Sequence, residues 1–209
     1  MFDATNFSLF VAASWALIIA PGPDMIYVIT RGVSQGRKAG LLSALGVTLG
    51  ILVHTLVAAF GLAMLLHTSS VAFWVVKYVG AAYLIYLGLK ALKHKSSFIL
   101  VEDAKPMDSR SIFWQGMFSN VLNPKVALFF LAFLPQFVSQ ESGYVPLQMG
   151  ALGLIFALFG VIFLTALALF AGGIGSWLAC RQGLAGLIRW LTGVVMIGLG
   201  LRLAFMQRR

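Results

Sequence analysis

The sequence predicts an all-α polytopic membrane protein of about six transmembrane helices, arranged as two inverted three-helix repeats in which two helices are broken. Three observations carry that prediction: an apolar composition, a series of apolar runs of spanning length, and proline-centred interruptions at matching places in the two halves. Of 209 residues, 60% are hydrophobic and 10% charged, with a mean hydropathy of +0.95. Soluble domains carry roughly 25% charged residues. A soluble globule of this length buries only about 70% of the surface its unfolded chain exposes, whereas a bilayer also solvates the outward faces.

The formal charge of +9 does not indicate nucleic acid, because the Lys and Arg residues cluster at the ends of apolar runs and form no stripe along one face. Such clusters are the signature of topology-setting loops. The single cysteine, Cys180, excludes an intramolecular disulfide and reads as a small buried residue. Met1 to Phe7 lacks the basic region of a signal peptide, and Pro21-Gly22-Pro23 stands where a cleavage site would follow, so the first apolar run is expected to be retained.

A helix crossing the ~30 Å hydrocarbon core needs roughly 20 mostly apolar residues. The runs that meet or approach this are Phe7 to Thr30, Leu41 to Leu66, Val71 to Leu89, Ile112 to Val138, Met149 to Ala179 and Leu187 to Phe205. The last is interrupted by Arg189 and Arg202, which must snorkel. With the N-terminus outside, Arg31, Arg37, Lys38, Lys90, Lys93, Lys95, Lys105, Arg110, Arg181 and Arg189 fall inside, against Lys77, Arg202, Arg208 and Arg209 outside. That bias sets the expected orientation. A five-span chain with its N-terminus inside is the alternative.

The chain reads as one transport domain, 1–209, with repeat one at about 1–95, a cytoplasmic loop at about 93–110 containing Glu102, Asp103, Pro106 and Asp108, and repeat two at about 111–209. Lys77 and Lys90 match Arg189 and Arg202, and Ile85 and Gly88 match Ile197 and Gly200, all in one register. Pro23-Asp24 matches Pro124-Lys125. Three spans per half invert the second repeat relative to the first, as in many secondary transporters.

Proline lacks an N–H and disfavours helix at the residue before it, so Pro21-Gly22-Pro23 and Asn123-Pro124 should each interrupt a span at depth. Each also suits a new helix start: Asn123 as N-cap with Pro124 first in the helix, and Gly22 with Pro23 as a poorer version. Unpaired backbone groups at membrane depth are tolerated only where protein or a watery cavity meets them. Two helix N-termini facing one cavity attract a carboxylate; packing kinks are the alternative reading.

Asp24 and Lys125, directly behind the two prolines, should not face lipid. They either pair with each other or meet the ammonium and carboxylate of a zwitterion. The candidate binding residues are thus Pro21, Gly22, Pro23, Asp24, Asn123, Pro124 and Lys125. His54 follows Gly46 and Gly50 on one helix face that a neighbour can approach closely. It is a packing residue or a proton relay, which makes Asp24 and His54 the proton-coupling candidates. Tyr27, Thr48, Gln115 and Asn120 are pathway-lining candidates, with Thr165 a further polar residue.

Pro21-Gly22-Pro23, Gly36-Arg37-Lys38-Ala39-Gly40-Leu41, Gly46-x3-Gly50, the stretch Gly80 to Gly88, Asn123-Pro124-Lys125, Phe129-Phe130 and Leu134-Pro135-Gln136-Phe137 together resemble the lysine exporter superfamily over nearly the whole chain. The resemblance implies export of amino acids across the bacterial inner membrane, driven by an ion gradient. His54, where exporters of basic amino acids carry an acidic residue, looks more like the homoserine/threonine efflux branch. Small neutral or hydroxylated substrates and proton antiport are therefore expected. Export of basic or branched amino acids, or a passive channel, are the alternatives.

No HExxH, GxSxG, cysteine pair or acidic cluster points to an enzyme, a metal or a cofactor. The expected partners are the amino acid, a coupling proton and lipid. Gly172, Gly173, Gly175 and Ala179 offer a small-residue face for a homo-oligomer.

Overall fold

The computed structural model describes residues 4–62, 70–93, 106–139, 143–180 and 182–205, with the backbone alone over part of these, including 172–180. Every regular element among them is helical. The elements are α1 (Ala4–Ile19), α2 (Pro23–Gln35), α3 (Arg37–Leu56), α4 (Ser70–Lys93), α5 (Ser109–Val121), α6 (Pro124–Leu128), α7 (Val145–Cys180) and α8 (Gln182–Phe205). A π-helical turn, Val57–Leu62, extends α3, and a π turn and a 3₁₀ turn, Phe129–Phe133 and Leu134–Phe137, extend α6.

Both breaks follow from the prolines. Pro21 and Pro23 have no N–H to offer the carbonyls of Leu17 and Ile19, so α1 ends there and α2 restarts with its axis turned by 49°. Pro124 withholds the donor that the Asn120 carbonyl would receive, and α5 gives way to α6 through a 45° bend. Gly36, at φ +82°, makes the tight turn from α2 into α3. Asp108 caps α5 by accepting from the Ser111 N–H at 2.9 Å, which holds its exposed carboxyl below the usual carboxylate range.

α3 and α7 are each long and apolar enough to span a bilayer, and the bent pairs α1–α2 and α5–α6 each pass as one broken span. α4 and α8, at 24 residues each, extend ~36 Å and reach across the same thickness. The expected last run, Leu187 to Phe205, lies inside the continuous helix α8, where Arg202 sits over the Phe137 ring at 5.9 Å. Large apolar side chains such as Phe60, Leu147, Ile162 and Phe170 point outward, as a lipid-facing surface requires. The chain is a multi-pass membrane protein.

Two close contacts organise the bundle. Gly46 and Gly50 of α3 lie against α5, where the Phe113 carbonyl and the Asn120 side chain occupy the space a Cβ would need. α4 and α8 pack reciprocally: Gly88 faces Ile197, and Gly200 faces Ile85. Those are the residues that match one another in the sequence of the two halves. α3 also packs along α7, with Gly153 receiving Thr55 and Gly160 receiving Ile51. The centre is aromatic, with Phe129 against Phe156 at 4.9 Å and Phe10 edge-on to Phe137 at 5.5 Å.

The structure departs from expectation at Arg31, assigned to a basic loop. It is buried on α2, donating to Gln35 Oε1 at 2.8 Å and to Met107 Sδ at 2.6 Å, so the end of the polar segment is tied to the bundle. The readings of Glu102, Asp103, Lys95, Lys105, Arg181, Arg208 and Arg209 fall outside the described residues, as do those of the side chains of Cys180, Arg189 and the small-residue face from Gly172 to Ala179.

Gly46→Ala forces its methyl onto backbone of α5 and should lower stability by about 1–3 kcal/mol. Gly150→Ala, with nothing within 4 Å of its Cβ position, should not. Thermal unfolding of the two variants in detergent distinguishes them.

Candidate functional site

The two breaks meet, and each is completed by residues of the other. The Leu17 carbonyl, orphaned by Pro21, accepts from Lys125 Nζ at 3.1 Å, and the Ala20 carbonyl accepts from the same ammonium at 2.9 Å. A cation there also meets the negative end of the α1 dipole. Gly22 keeps the approach open, since a Cβ at that position would lie 3.0 Å from Lys125 Nζ. In the opposite direction, Asp24 Oδ2 accepts from Asn120 Nδ2 at 2.9 Å and from Asn123 Nδ2 at 2.8 Å. Asn123 Oδ1 accepts from the Lys125 N–H at 3.0 Å, the N-cap expected of it, while Gly22 caps α2 with no side chain.

The second orphaned carbonyl, that of Asn120, lies 3.2 Å from His54 Nε2 and also accepts from the Asn123 N–H at 2.9 Å. A carbonyl only accepts, so His54 carries its proton on Nε2 in this contact. The ring stacks on Phe130 at 5.8 Å. His54 therefore supports the α5–α6 break from behind.

Asp24 and Lys125 do not form an ion pair with each other among the described residues: the ammonium is held by carbonyls and the carboxylate by amides. Both line one small cavity of about 30 Å³, enough for a water or two and not for an amino acid. Asn120 completes its polar side. The remaining wall is apolar, formed by Leu17, Ile18, Met25, Val47, Ile51, Val126, Phe156, Gly160 and Leu164.

Of the sequence candidates, Asp24, Asn120 and Lys125 line this cavity, and Pro21, Gly22, Pro23, Asn123 and Pro124 shape it without lining it. Tyr27 and Gln115 lie apart, around Arg31, where Tyr27 donates to the Ile112 carbonyl at 2.9 Å and Gln115 accepts from Arg31 at 3.4 Å. Thr48 donates to the Ala44 carbonyl of its own helix. The apolar wall was not anticipated. Its signal is faint: Val47 with Ile51, and Phe156 with Gly160 and Leu164, recur every four residues and so share a helix face.

Two broken helices that meet at one cavity inside a multi-pass bundle are an arrangement that recurs in membrane translocators. The chain belongs to the LysE type translocator family, whose model matches residues 15–207. It is 32% identical to the uncharacterized membrane protein YrhP of Bacillus subtilis, over 89% of this chain and 92% of that one. It is also 32% identical to the uncharacterized membrane protein PA4757 of Pseudomonas aeruginosa, over 96% and 95%. A leucine efflux protein of Klebsiella pneumoniae is 30% identical over 99% and 98%. No solved structure matches significantly.

The Asn123 side chain serves two partners across the two breaks, so Asn123→Ala should cost about 2–5 kcal/mol, the sum of a lost cap and a lost bond to a charged group. The exposed neighbour variant Leu122→Ala should unfold like the parent chain in the same thermal scan.

Proposed function

We propose that the chain exports neutral amino acids from the bacterial cytoplasm, with the substrate held between the two breaks and its side chain against the apolar wall. The observation that carries this reading is the cavity itself, which places an aspartate, an asparagine and a lysine opposite a continuous aliphatic and aromatic surface. A zwitterion with an apolar side chain has that distribution of chemistry. The wall favours a leucine-like substrate over the hydroxylated amino acids that the resemblance of His54 suggests, and the relatives named leucine efflux proteins agree with that preference.

Transport proceeds by alternating access. The reciprocal α4–α8 contact and the two matching bends support a division into inverted repeats that rock against one another. The cavity expands to admit substrate and contracts when empty. The N-terminus faces outward, a placement that the distribution of basic residues supports.

The driving force is a proton moving inward. One charge crossing ~100 mV is worth ~2.3 kcal/mol, which sustains a roughly fiftyfold gradient. Asp24 is the coupling group, because it lines the cavity and His54 does not. It holds either a proton or the substrate, and that exclusion is what couples the two fluxes.

Vesicles reconstituted with the chain and loaded with leucine, threonine, homoserine or lysine provide the test. Leucine efflux should run against its gradient and stop when a protonophore collapses the proton gradient, with lysine retained. Flux that only runs downhill, indifferent to the protonophore, would identify a channel. Asp24→Asn should lose uphill export; a variant that exports uphill like the parent removes Asp24 from the coupling.

A further inference from the structure

The hydrogen bonds around Asp24 leave two buried oxygens without a donor. Asp24 is 8% exposed and Asn120 0%. Asp24 spends one oxygen, Oδ2, on two amide groups, while Oδ1 is buried without a hydrogen-bond partner. Asn120 uses its amide nitrogen on that same carboxylate, and its Oδ1 is likewise buried and unpartnered. Since Asn120 Nδ2 is bonded to Asp24 Oδ2, the two unpartnered oxygens belong to adjacent groups. Both residues line the cavity.

A buried acceptor left without a donor is costly, and a buried carboxylate without a cation more so. Elsewhere around the breaks this cost is met: the orphaned carbonyls of Leu17 and Asn120 each receive a donor. The nearby ammonium of Lys125 gives two of its three N–H bonds to the Leu17 and Ala20 carbonyls. Among the described residues four buried side-chain atoms lack a partner: Asp24 Oδ1 and Asn120 Oδ1, which belong to residues lining the cavity, and Ser14 Oγ and Gln136 Oε1, which belong to residues that do not. Two oxygens are too few for a bare metal ion, which takes six or more oxygens if it is Ca²⁺ or Mg²⁺. They suit a group with several N–H bonds and a positive charge.

We propose that Asp24 Oδ1 and Asn120 Oδ1 form the subsite for the substrate's primary ammonium, with the apolar wall taking the side chain. The assignment rests on the transport reading above and deepens it. It makes the ammonium the group that Asp24 and Asn120 recognise in this conformation. Lys125 gives two of its three N–H bonds to α1 carbonyls and keeps one for a carboxylate. Asn120 acts as a two-sided residue: its nitrogen orients the aspartate and its oxygen contacts the ligand.

Binding to the purified full-length chain separates this subsite from transport. Isopentylamine keeps leucine's branched side chain and ammonium without the carboxylate, and isocaproate keeps the side chain and carboxylate without the ammonium. Raised unfolding temperature with leucine and isopentylamine, and none with isocaproate, is the expected result. Stabilisation by isocaproate equal to that by leucine, or no stabilisation by either ammonium compound, overturns the subsite. Asn120→Ala should weaken the leucine and isopentylamine effects by about tenfold in half-saturating concentration, the loss of one hydrogen bond to a charged group. Should that variant not fold, the ligand series on the parent chain decides alone. Absence of leucine transport alongside amine binding would refute the export reading and leave the subsite standing.

Discussion

The Lys125 ammonium seated on the carbonyls of Leu17 and Ala20 is the contact on which the rest of the architecture depends. A helix broken inside a membrane leaves backbone acceptors with no water to satisfy them. Pro21 creates that problem at Leu17, and the chain solves it with a cation from the other half of the molecule. The solution fixes several other features at once. It suits a glycine at position 22, because a Cβ there would stand 3.0 Å from the ammonium. It holds α6 against the end of α1. The hydrogen bonds of the Asp24 carboxylate come instead from neutral amides.

Those amides come from the second break. Asn120 and Asn123 flank the bend between α5 and α6 and reach Asp24 from either side of it. The two interruptions thus form one polar unit, each lending side chains to the other, and neither can change its bend angle without altering the other's hydrogen bonds. That mutual dependence is a physical route by which an event at one break is felt at the second. The contrast with the glycine contacts is instructive. Gly46 and Gly50 press α3 onto α5 through backbone and have little freedom, whereas the bonds at the breaks are side-chain bonds that can exchange partners.

Much of this was legible in the sequence, for reasons that differ by residue. The breaks were readable because proline acts locally: a missing N–H and a restricted preceding residue need no tertiary information. Asn123 was readable as a cap for the same reason. The pairing of Asp24 and Lys125 was not. Their matched positions leave open whether they pair with each other or meet the two ends of a zwitterion, and only the course of α1 brings Lys125 to carbonyls. His54 shows a similar limit: its spacing from Gly46 and Gly50 located the helix face, while its partner, the Asn120 carbonyl, lies 66 positions away. Arg31 looked like a loop cation because burial of a charge among Gln35, Met107 and Gln115 is a tertiary event. The apolar wall is invisible for the opposite reason: in a chain so rich in Leu, Ile and Phe, cavity-lining and lipid-facing residues carry the same letters.

The unequal fate of the two break residues gives the site its direction. Asp24 and Lys125 occupy corresponding positions, yet one retains an oxygen without a partner and the other gives two of its three N–H bonds to carbonyls. A two-fold device with identical charges would present the same face to both ends of a substrate. Opposite charges at corresponding positions match the opposite ends of a zwitterion instead. Under the proposed assignment the ammonium docks at the acidic half, where Asp24 Oδ1 has no partner. A carboxylate that drew Lys125 away from the α1 carbonyls would leave those carbonyls without donors until the helix end shifted. The orphaned carbonyl at Leu17 would in that way couple the proposed substrate to the first half of the molecule.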